Sequence, residues 1–170
     1  YELRQRGLLY HGGTPGGADA TPTRMRAGFQ FCERLRAEGF ASYRRVGEHS
    51  LRQLLEARPY ASFAVLLGHL PFRKNTLEGR LQRQLLLYKE GVDVPDAMDV
   101  FEEITRHHLL AGQMRVEGLL ASEELDALAA AYTAFLAALQ TNRVALVGDP
   151  LEGQIVLPTG ELQERYRSSG

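Results

Sequence analysis

The sequence predicts a helix-rich α/β protein, and three observations predict that class. Several segments place apolar residues three or four positions apart, which is the spacing of one helix face. Between them lie two short apolar runs with the composition of strands, and a hairpin pattern follows near the end. Apolar residues make up 44% of the 170 positions and charged residues 24%, as in globular proteins with a core. We therefore expect a single domain over residues 1–170.

Composition also limits the functional classes. The formal net charge of −1 shows no global basic excess, so nucleic-acid binding would require a local basic patch. Cys32 is the single cysteine, which excludes a disulfide within the chain and favours a reducing, cytoplasmic compartment. Its place on a helical apolar stripe fits a small core residue better than a nucleophile. No apolar run approaches the length of a membrane span, so no membrane partner is expected.

The first part of the chain is predicted to hold a helix end, a loop and one long helix. Glu2–Gly7 has the pattern of a helix that ends at a glycine, and residues 10–23 are rich in glycine and proline, as loops are. Thr23 is the expected N-cap of a helix that Gly39 ends. The predicted buried face of this helix consists of Met25, Phe29, Cys32 and Leu35.

The central stretch is predicted to be a strand that carries a carboxylate to the start of a helix. Phe40–Val46 and Leu51–Glu56 are the strand candidates, and the second ends on Glu56. Pro59 stops the sheet ladder because it has no N–H, and its fixed φ suits the first turn of a helix, expected over Ala61–Leu67. Ligands gather at the carboxyl ends of strands in α/β sheets. Glu56 could equally do no more than favour the positive end of the helix dipole.

Three further helices and a hairpin are predicted in the rest of the chain. The first helix follows the N-cap Thr76, the second spans Asp99–Leu110, and the third follows the N-cap Ser122. Val144–Val147 and Gln154–Leu157 flank a turn, which indicates a β-hairpin. Alanines in the third helix permit close packing. The predicted buried residues are Leu77, Leu81, Leu85 and Tyr88 in the first helix, and Leu125, Leu128, Tyr132, Phe135 and Leu139 in the third.

Asp126 is the first residue after Glu56 that could carry chemistry. It lies in the first turns of the alanine-rich helix, at the edge of the apolar face. That position suits a carboxylate directed into a cleft. The alternative is that Asp126 only adds to the negative charge of Glu123 and Glu124, which stabilises a helix start.

A basic set is the second candidate. Arg80 and Arg83 are three positions apart and share one helix face, and Arg73 and Lys74 precede that helix. Such a face can hold phosphate groups. The alternative is an ordinary solvated surface.

Several short motifs occur in a fixed order along nearly the whole chain. They are residues 4–8, Met25 with Gly28, residues 55–63, residues 74–80 with Arg83, residues 125–133, and residues 147–150 and 152–158. The ordered set resembles an uncharacterised family of predicted nucleases with an RNase H-like fold, which is distantly similar to Holliday-junction resolvases. The resemblance implies a mixed sheet flanked by helices, with acidic residues at its strand ends.

The resemblance also implies a chemistry and a set of site residues. Glu56 matches the acid after the central strand and Asp126 matches the acid on the last helix, so both are expected to be catalytic and to bind Mg²⁺ or Mn²⁺. Two-metal hydrolysis of a phosphodiester in nucleic acid is the implied reaction. The segment with Lys74, Arg80 and Arg83 matches a basic stretch, expected to bind phosphate.

One departure from the family limits this expectation. The family opens with a strand that bears an aspartate, and Tyr1–Arg4 is not such a strand. The resemblance therefore implies the C-terminal part of an RNase H-like domain whose N-terminal strands are missing, and we expect the chain to be inactive by itself. An exposed sheet edge invites completion by a missing N-terminal segment or by a second copy in a homodimer. The alternative function is a non-catalytic module that binds protein or nucleic acid.

Overall fold

The computed structural model describes residues 2–8, 21–44, 52–114, 116–150 and 153–168. Its helices are α1 (Glu2–Gln5), α2 (Thr21–Ala37), α3 (Pro59–Leu67), α4 (Leu77–Lys89), α5 (Ala97–Glu103), α6 (Arg106–Leu110) and α7 (Ser122–Leu139), with a 3₁₀ turn at Thr141–Arg143. Its strands are β1 (Ala41–Ser42), β2 (Gln53–Leu54), β3 (Glu56–Ala57), β4 (Ala145–Asp149) and β5 (Gly153–Leu157). None of the helices in these ranges is long and apolar enough to cross a membrane.

The strands form two small sheets. Strands β1 and β2 pair in parallel. In the other sheet β5 lies in the middle, parallel to β3 with Glu56 opposite Ile155, and antiparallel to β4. Helices α3 and α7 both pack against β5. The helix-rich α/β class with a mixed sheet flanked by helices is confirmed, and so is the hairpin of β4 and β5.

The predicted strand Leu51–Glu56 is wrong in its extent. Gln53–Leu54 pairs with β1 while Glu56–Ala57 pairs with β5, so the chain passes from one sheet to the other at Leu55. Glu56 therefore begins a strand instead of ending one. The helix that follows is confirmed, and Pro59 occupies its first turn, where its missing N–H costs nothing.

Other predictions for the N-terminal part are confirmed in outline. Helix α1 is followed by Gly7 at φ 74°, and α2 is followed by Gly39 at φ 87°, as a helix end favours. Helix α2 begins at Thr21, so Thr23 is not its N-cap. Residues 10–20 of the predicted loop and residues 45 and 46 of the first predicted strand lie outside the described residues.

The buried face predicted for α2 is wrong at Phe29, which is 65% exposed. Cys32 and Leu35 are half-buried. The periodic spacing sets which residues share a face. Whether another element covers that face depends on residues elsewhere in the chain, which the spacing does not record.

Helices α3 and α7 form the best packed part of the core. Ala61, Ala64 and Ala129 are completely buried. The burial of Ala129 agrees with the close packing predicted for the alanine-rich helix. The buried face of α7 runs through Leu125, Ala129, Tyr132 and Leu136, so Phe135 and Leu139, which were predicted to be buried, are exposed. Small residues let the two helices approach closely, and the larger side chains at the edges of α7 remain outside.

Helix α4 buries polar residues where leucines were predicted. Arg83, Gln84 and Leu87 are buried, whereas the predicted Leu77, Leu81 and Leu85 are half-buried and Tyr88 is exposed. The predicted helix over Asp99–Leu110 is two helices, since the Thr105 hydroxyl accepts from the His108 N–H and starts α6.

Gln84 joins α4 to two loops through its buried amide. Its Nε2 donates to the carbonyl oxygens of Pro95 at 2.9 Å and Gly118 at 2.8 Å. Its Oε1 accepts from the Leu120 N–H at 2.7 Å. A buried amide with three partners fixes its neighbours without an unsatisfied polar group.

A second polar contact joins the end of α4 to α7. The Glu90 carboxylate accepts from the Tyr132 hydroxyl and from Arg143 Nη2, each at 2.6 Å. Burial and the hydrogen bond to Glu90 raise the pKa of Tyr132 to about 12. The phenol therefore stays neutral and keeps donating throughout the physiological range.

Gln84→Leu is expected to lower the free energy of unfolding by about 2–4 kcal/mol, because it leaves two carbonyl groups and one N–H buried without partners. Urea denaturation measures this change. Gln30→Leu, at an exposed position of α2, is the matched control and should leave stability nearly unchanged. Equal stability of the two variants would contradict the role of the buried amide.

Candidate functional site

A cleft of about 590 Å³ opens where the start of α3, residues 71–76, α4 and α7 meet. A concave site with converging polar groups is the usual form of a binding site. Four of its lining residues are cationic, and one, Asp126, is acidic. The cleft is therefore positively charged although the chain as a whole is not. The lining consists of Arg58, Pro59, Tyr60, Pro71, Phe72, Arg73, Lys74, Asn75, Thr76, Arg83 and Asp126.

The wall of the cleft, residues 71–76, is held by hydrogen bonds to α4 and α7. The Phe72 N–H donates to Gln82 Oε1 at 2.8 Å, and the Lys74 carbonyl accepts from the Ser122 hydroxyl at 2.7 Å. Thr76 starts α4 as predicted, since its hydroxyl accepts from the Gly79 N–H at 3.2 Å. These bonds fix the backbone on both sides of Arg73 and Lys74.

Ser122 was predicted to be the N-cap of α7. It is instead the first residue of that helix. The N-cap is Ala121, whose N–H donates to the Glu124 carboxylate at 2.7 Å. The Ser122 hydroxyl is thereby free to bind Lys74 and to tie the wall to α7.

Arg83 forms the floor of the cleft and is only 2% exposed. Its guanidinium donates to the Gly79 carbonyl at 2.8 Å and to the Phe72 carbonyl at 2.9 Å, and it lies 5.3 Å from the centre of the Phe63 ring. Its Nε has no hydrogen-bond partner in the described part of the chain. Burial lowers the pKa of Arg83, while Asp126 acts in the opposite direction. The solvated-surface interpretation is therefore wrong for Arg83.

Lys74 and Asp126 form an ion pair at the edge of the cleft. Lys74 Nζ lies 3.1 Å from Asp126 Oδ2 and 3.8 Å from Glu123 Oε1. Asp126 is half-buried and lines the cleft, as a carboxylate directed into a cleft was expected to do. An exposed pair of this kind contributes up to about 1 kcal/mol, so a ligand can displace it at low cost.

Glu56 does not line the cleft. Its carboxylate pairs with Arg58 at 2.9 Å, and both side chains are more than half exposed. Glu56 lines a neighbouring cavity of about 500 Å³ together with Arg36, Tyr43 and Gln154. Arg58 lines the cleft and binds Glu56, so it is the link between the two cavities.

Arg80 also lies away from the cleft. Its guanidinium donates to the carbonyl oxygens of Leu119 at 2.6 Å and Leu120 at 2.8 Å, which anchors the loop before α7. This position does not support the phosphate-binding role predicted for Arg80. Lys74 and Arg83 do line the cleft, so the same role stays open for them.

The described residues do not by themselves fit a two-metal centre. Among them, no group of three or more histidine, cysteine, aspartate or glutamate side chains lies close enough to hold a metal ion. Asp126 and Glu56 are each paired with a cation, and further cations line the cleft. The roles of these two acids as metal ligands remain a prediction.

Sequence reasoning missed Arg58 and Phe72 as residues of the cleft. Arg58 follows the predicted strand directly, and its charge next to Pro59 was the signal that could have found it. Phe72 lies in a turn beside Pro71, where an aromatic residue has no periodic neighbours. An aromatic side chain in a turn is such a signal, because most turn residues are small or polar.

A family model described as "Protein of unknown function (DUF429)" matches residues 18–152. The match covers most of the chain, so the chain belongs to this family. No curated protein and no solved structure matches the chain.

Gly79→Ala is expected to disrupt the wall of the cleft. A Cβ at Gly79 would lie 1.8 Å from the Arg73 carbonyl oxygen, so residues 71–76 would have to move. Overpacking of this kind costs about 1–3 kcal/mol of the free energy of unfolding. Chemical denaturation measures the loss, with Gly28→Ala in α2 as control because no described part of the chain lies within 4 Å of its Cβ position. Similar losses in both variants would contradict the close contact.

Proposed function

As this chain belongs to the DUF429 family, we propose that its cationic cleft binds the phosphodiester backbone of a nucleic acid, as the substrate site of an RNase H-like nuclease. Arg83 is the observation that carries the proposal. A guanidinium that is buried with two carbonyl partners, and with no carboxylate bound directly among the described residues, leaves positive charge at the floor of the cleft. An anion in the cleft offsets that charge.

The other cations are arranged to meet the same ligand. The Arg73 side chain makes no hydrogen bond or ion pair within the described ranges, and it lines the cleft. Arg58 and Lys74 are held by exposed ion pairs, which exchange readily for a phosphate. Several cations along one groove suit a polymer of phosphates, and the resemblance to RNase H-like nucleases supports nucleic acid as that polymer.

Hydrolysis is the finer part of the proposal. Asp126 supports it, because its carboxylate lies on the cleft where a phosphate would bind. Asp126 and Glu56 are too few for a two-metal centre, so we propose that further carboxylates come from another segment or from a second copy of the chain. A non-catalytic module that binds nucleic acid is the alternative, and a cleavage assay separates the two.

Replacing both Arg73 and Lys74 by glutamine is expected to weaken nucleic-acid binding. Fluorescence anisotropy with a labelled oligonucleotide should show that the affinity falls by a factor of about ten or more. The slope of log affinity against log salt should fall by about one for each phosphate contact removed. The control replaces Lys89 and Arg106, which are exposed and do not line the cleft, by glutamine and removes the same charge. Equal effects of the two double variants would contradict the assigned site.

Asp126→Asn is expected to separate binding from hydrolysis. It removes the acidic group from the cleft and frees Lys74, so oligonucleotide affinity should rise by up to about fivefold, the equivalent of up to about 1 kcal/mol. Cleavage of the same oligonucleotide in the presence of Mg²⁺ or Mn²⁺ should be lost. Glu123→Gln is the control, since Glu123 approaches the same lysine from outside the cleft. Absence of cleavage in the wild type would favour the non-catalytic module.

A further inference from the structure

We infer that the cleft takes an unpaired nucleotide, with Phe72 stacked on its base, so that the protein prefers single-stranded to double-stranded nucleic acid. The inference rests on the proposed function, because it concerns the same cleft. It adds recognition of the base to recognition of the phosphate. Its carrying observation is that Phe72 lines the cleft, that its carbonyl accepts from the buried Arg83, and that two further lining cations follow it directly in the chain.

Phe72 is an aromatic side chain held in an exposed position. It is 50% exposed on the wall of the cleft. Its N–H donates to Gln82 and its carbonyl accepts from Arg83, so its backbone is fixed on both sides. The backbone that carries the ring therefore does not have to be ordered when a ligand arrives, which lowers the entropy cost of binding.

The charges next to Phe72 complete the requirement for a nucleotide. Arg73 and Lys74 follow it directly, and both line the cleft. An aromatic platform beside a positively charged groove is the combination by which proteins bind single strands, since bases stack on the ring while cations hold the backbone. Tyr60 provides a second aromatic surface in the same cleft.

The size of the cleft supports an unpaired nucleotide. A volume of about 590 Å³ lies in the range of pockets that enclose a small organic ligand. In a duplex the faces of the bases are stacked on one another and only their edges and the phosphates are accessible. A duplex could therefore reach the cations of the cleft, but its bases could not stack on the Phe72 ring.

The test measures binding of the full chain to four labelled ligands by fluorescence anisotropy. They are a 12-residue thymidine strand, a 12-residue uridine strand, a 12-base-pair duplex and an abasic strand. The abasic strand has the same number of phosphates as each of the two base-containing single strands. We expect either single strand to bind at least tenfold more tightly than the duplex and the abasic strand, since stacking adds about 1–3 kcal/mol per base. A preference for the thymidine strand would indicate DNA as the ligand, and a preference for the uridine strand would indicate RNA. Both results support the inference.

Phe72→Ala should weaken binding of the base-containing strands about tenfold and leave binding of the abasic strand unchanged. That unchanged binding excludes a folding defect as the cause, and Phe72→Trp should retain the tight binding because it keeps an aromatic face. Phe29→Ala is the control, because Phe29 is an exposed phenylalanine of α2 that does not line the cleft.

The outcomes distinguish this inference from the proposed function. Equal binding of the four ligands, together with no effect of Phe72→Ala, would overturn the inference, while binding lost on replacing Arg73 and Lys74 would still support the phosphate site. Failure of all four ligands to bind would overturn both.

Discussion

The cleft depends on the contacts of one buried guanidinium. Arg83 reaches its own helix at Gly79, the wall at Phe72 and the core at the Phe63 ring. A charge removed from water is costly unless hydrogen bonds and neighbouring groups compensate it. Two carbonyl oxygens and an aromatic face compensate part of that cost, and the remaining positive charge acts on the space beside it. The same side chain thus positions the wall and adds to the positive charge that the other three cations bring to the cleft.

The wall and its helix are matched to each other through Gly79. The Arg73 carbonyl oxygen lies 1.8 Å from the position that a Cβ of residue 79 would take, so only glycine allows this approach. Arg83 then follows one turn later on the same helix and binds the wall from below. Because the wall is tied to α7 as well, through Ser122, a shift of either helix moves the backbone that carries Arg73 and Lys74. The geometry of the site is therefore a property of helix packing more than of the loop itself.

Local signals allowed much of the fold to be predicted. Pro59 starts α3, Thr76 caps α4 and the hairpin of β4 and β5 surrounds its turn, and in each case the responsible residues lie within a few positions. The buried faces were harder to predict. Gln84 is buried because carbonyl groups at Pro95 and Gly118 accept from it, and no spacing within α4 records those distant partners.

The candidate site likewise has parts that local sequence signals predict and parts that depend on distant packing. The proximity of Lys74 and Asp126 depends on how α7 packs beside the wall, and only the ordered motifs of the resemblance suggested that these segments belong together. Glu56 was placed correctly next to a helix start. Its position outside the cleft follows from the change of sheet at Leu55, which a continuous apolar run conceals.

The pairing of β3 with β5 has a consequence for how the chain folds during synthesis. Glu56 and Ala57 pair with residues about a hundred positions later, and Arg58 and Pro59, at the edge of the cleft, follow β3 directly. A ribosome that has released α3 has therefore not yet supplied β5, the strand against which α3 packs. Contacts of such large sequence separation form late, because a long loop must close first. The edge of the cleft at Arg58 and Pro59 is thus fixed only after the last hairpin has emerged.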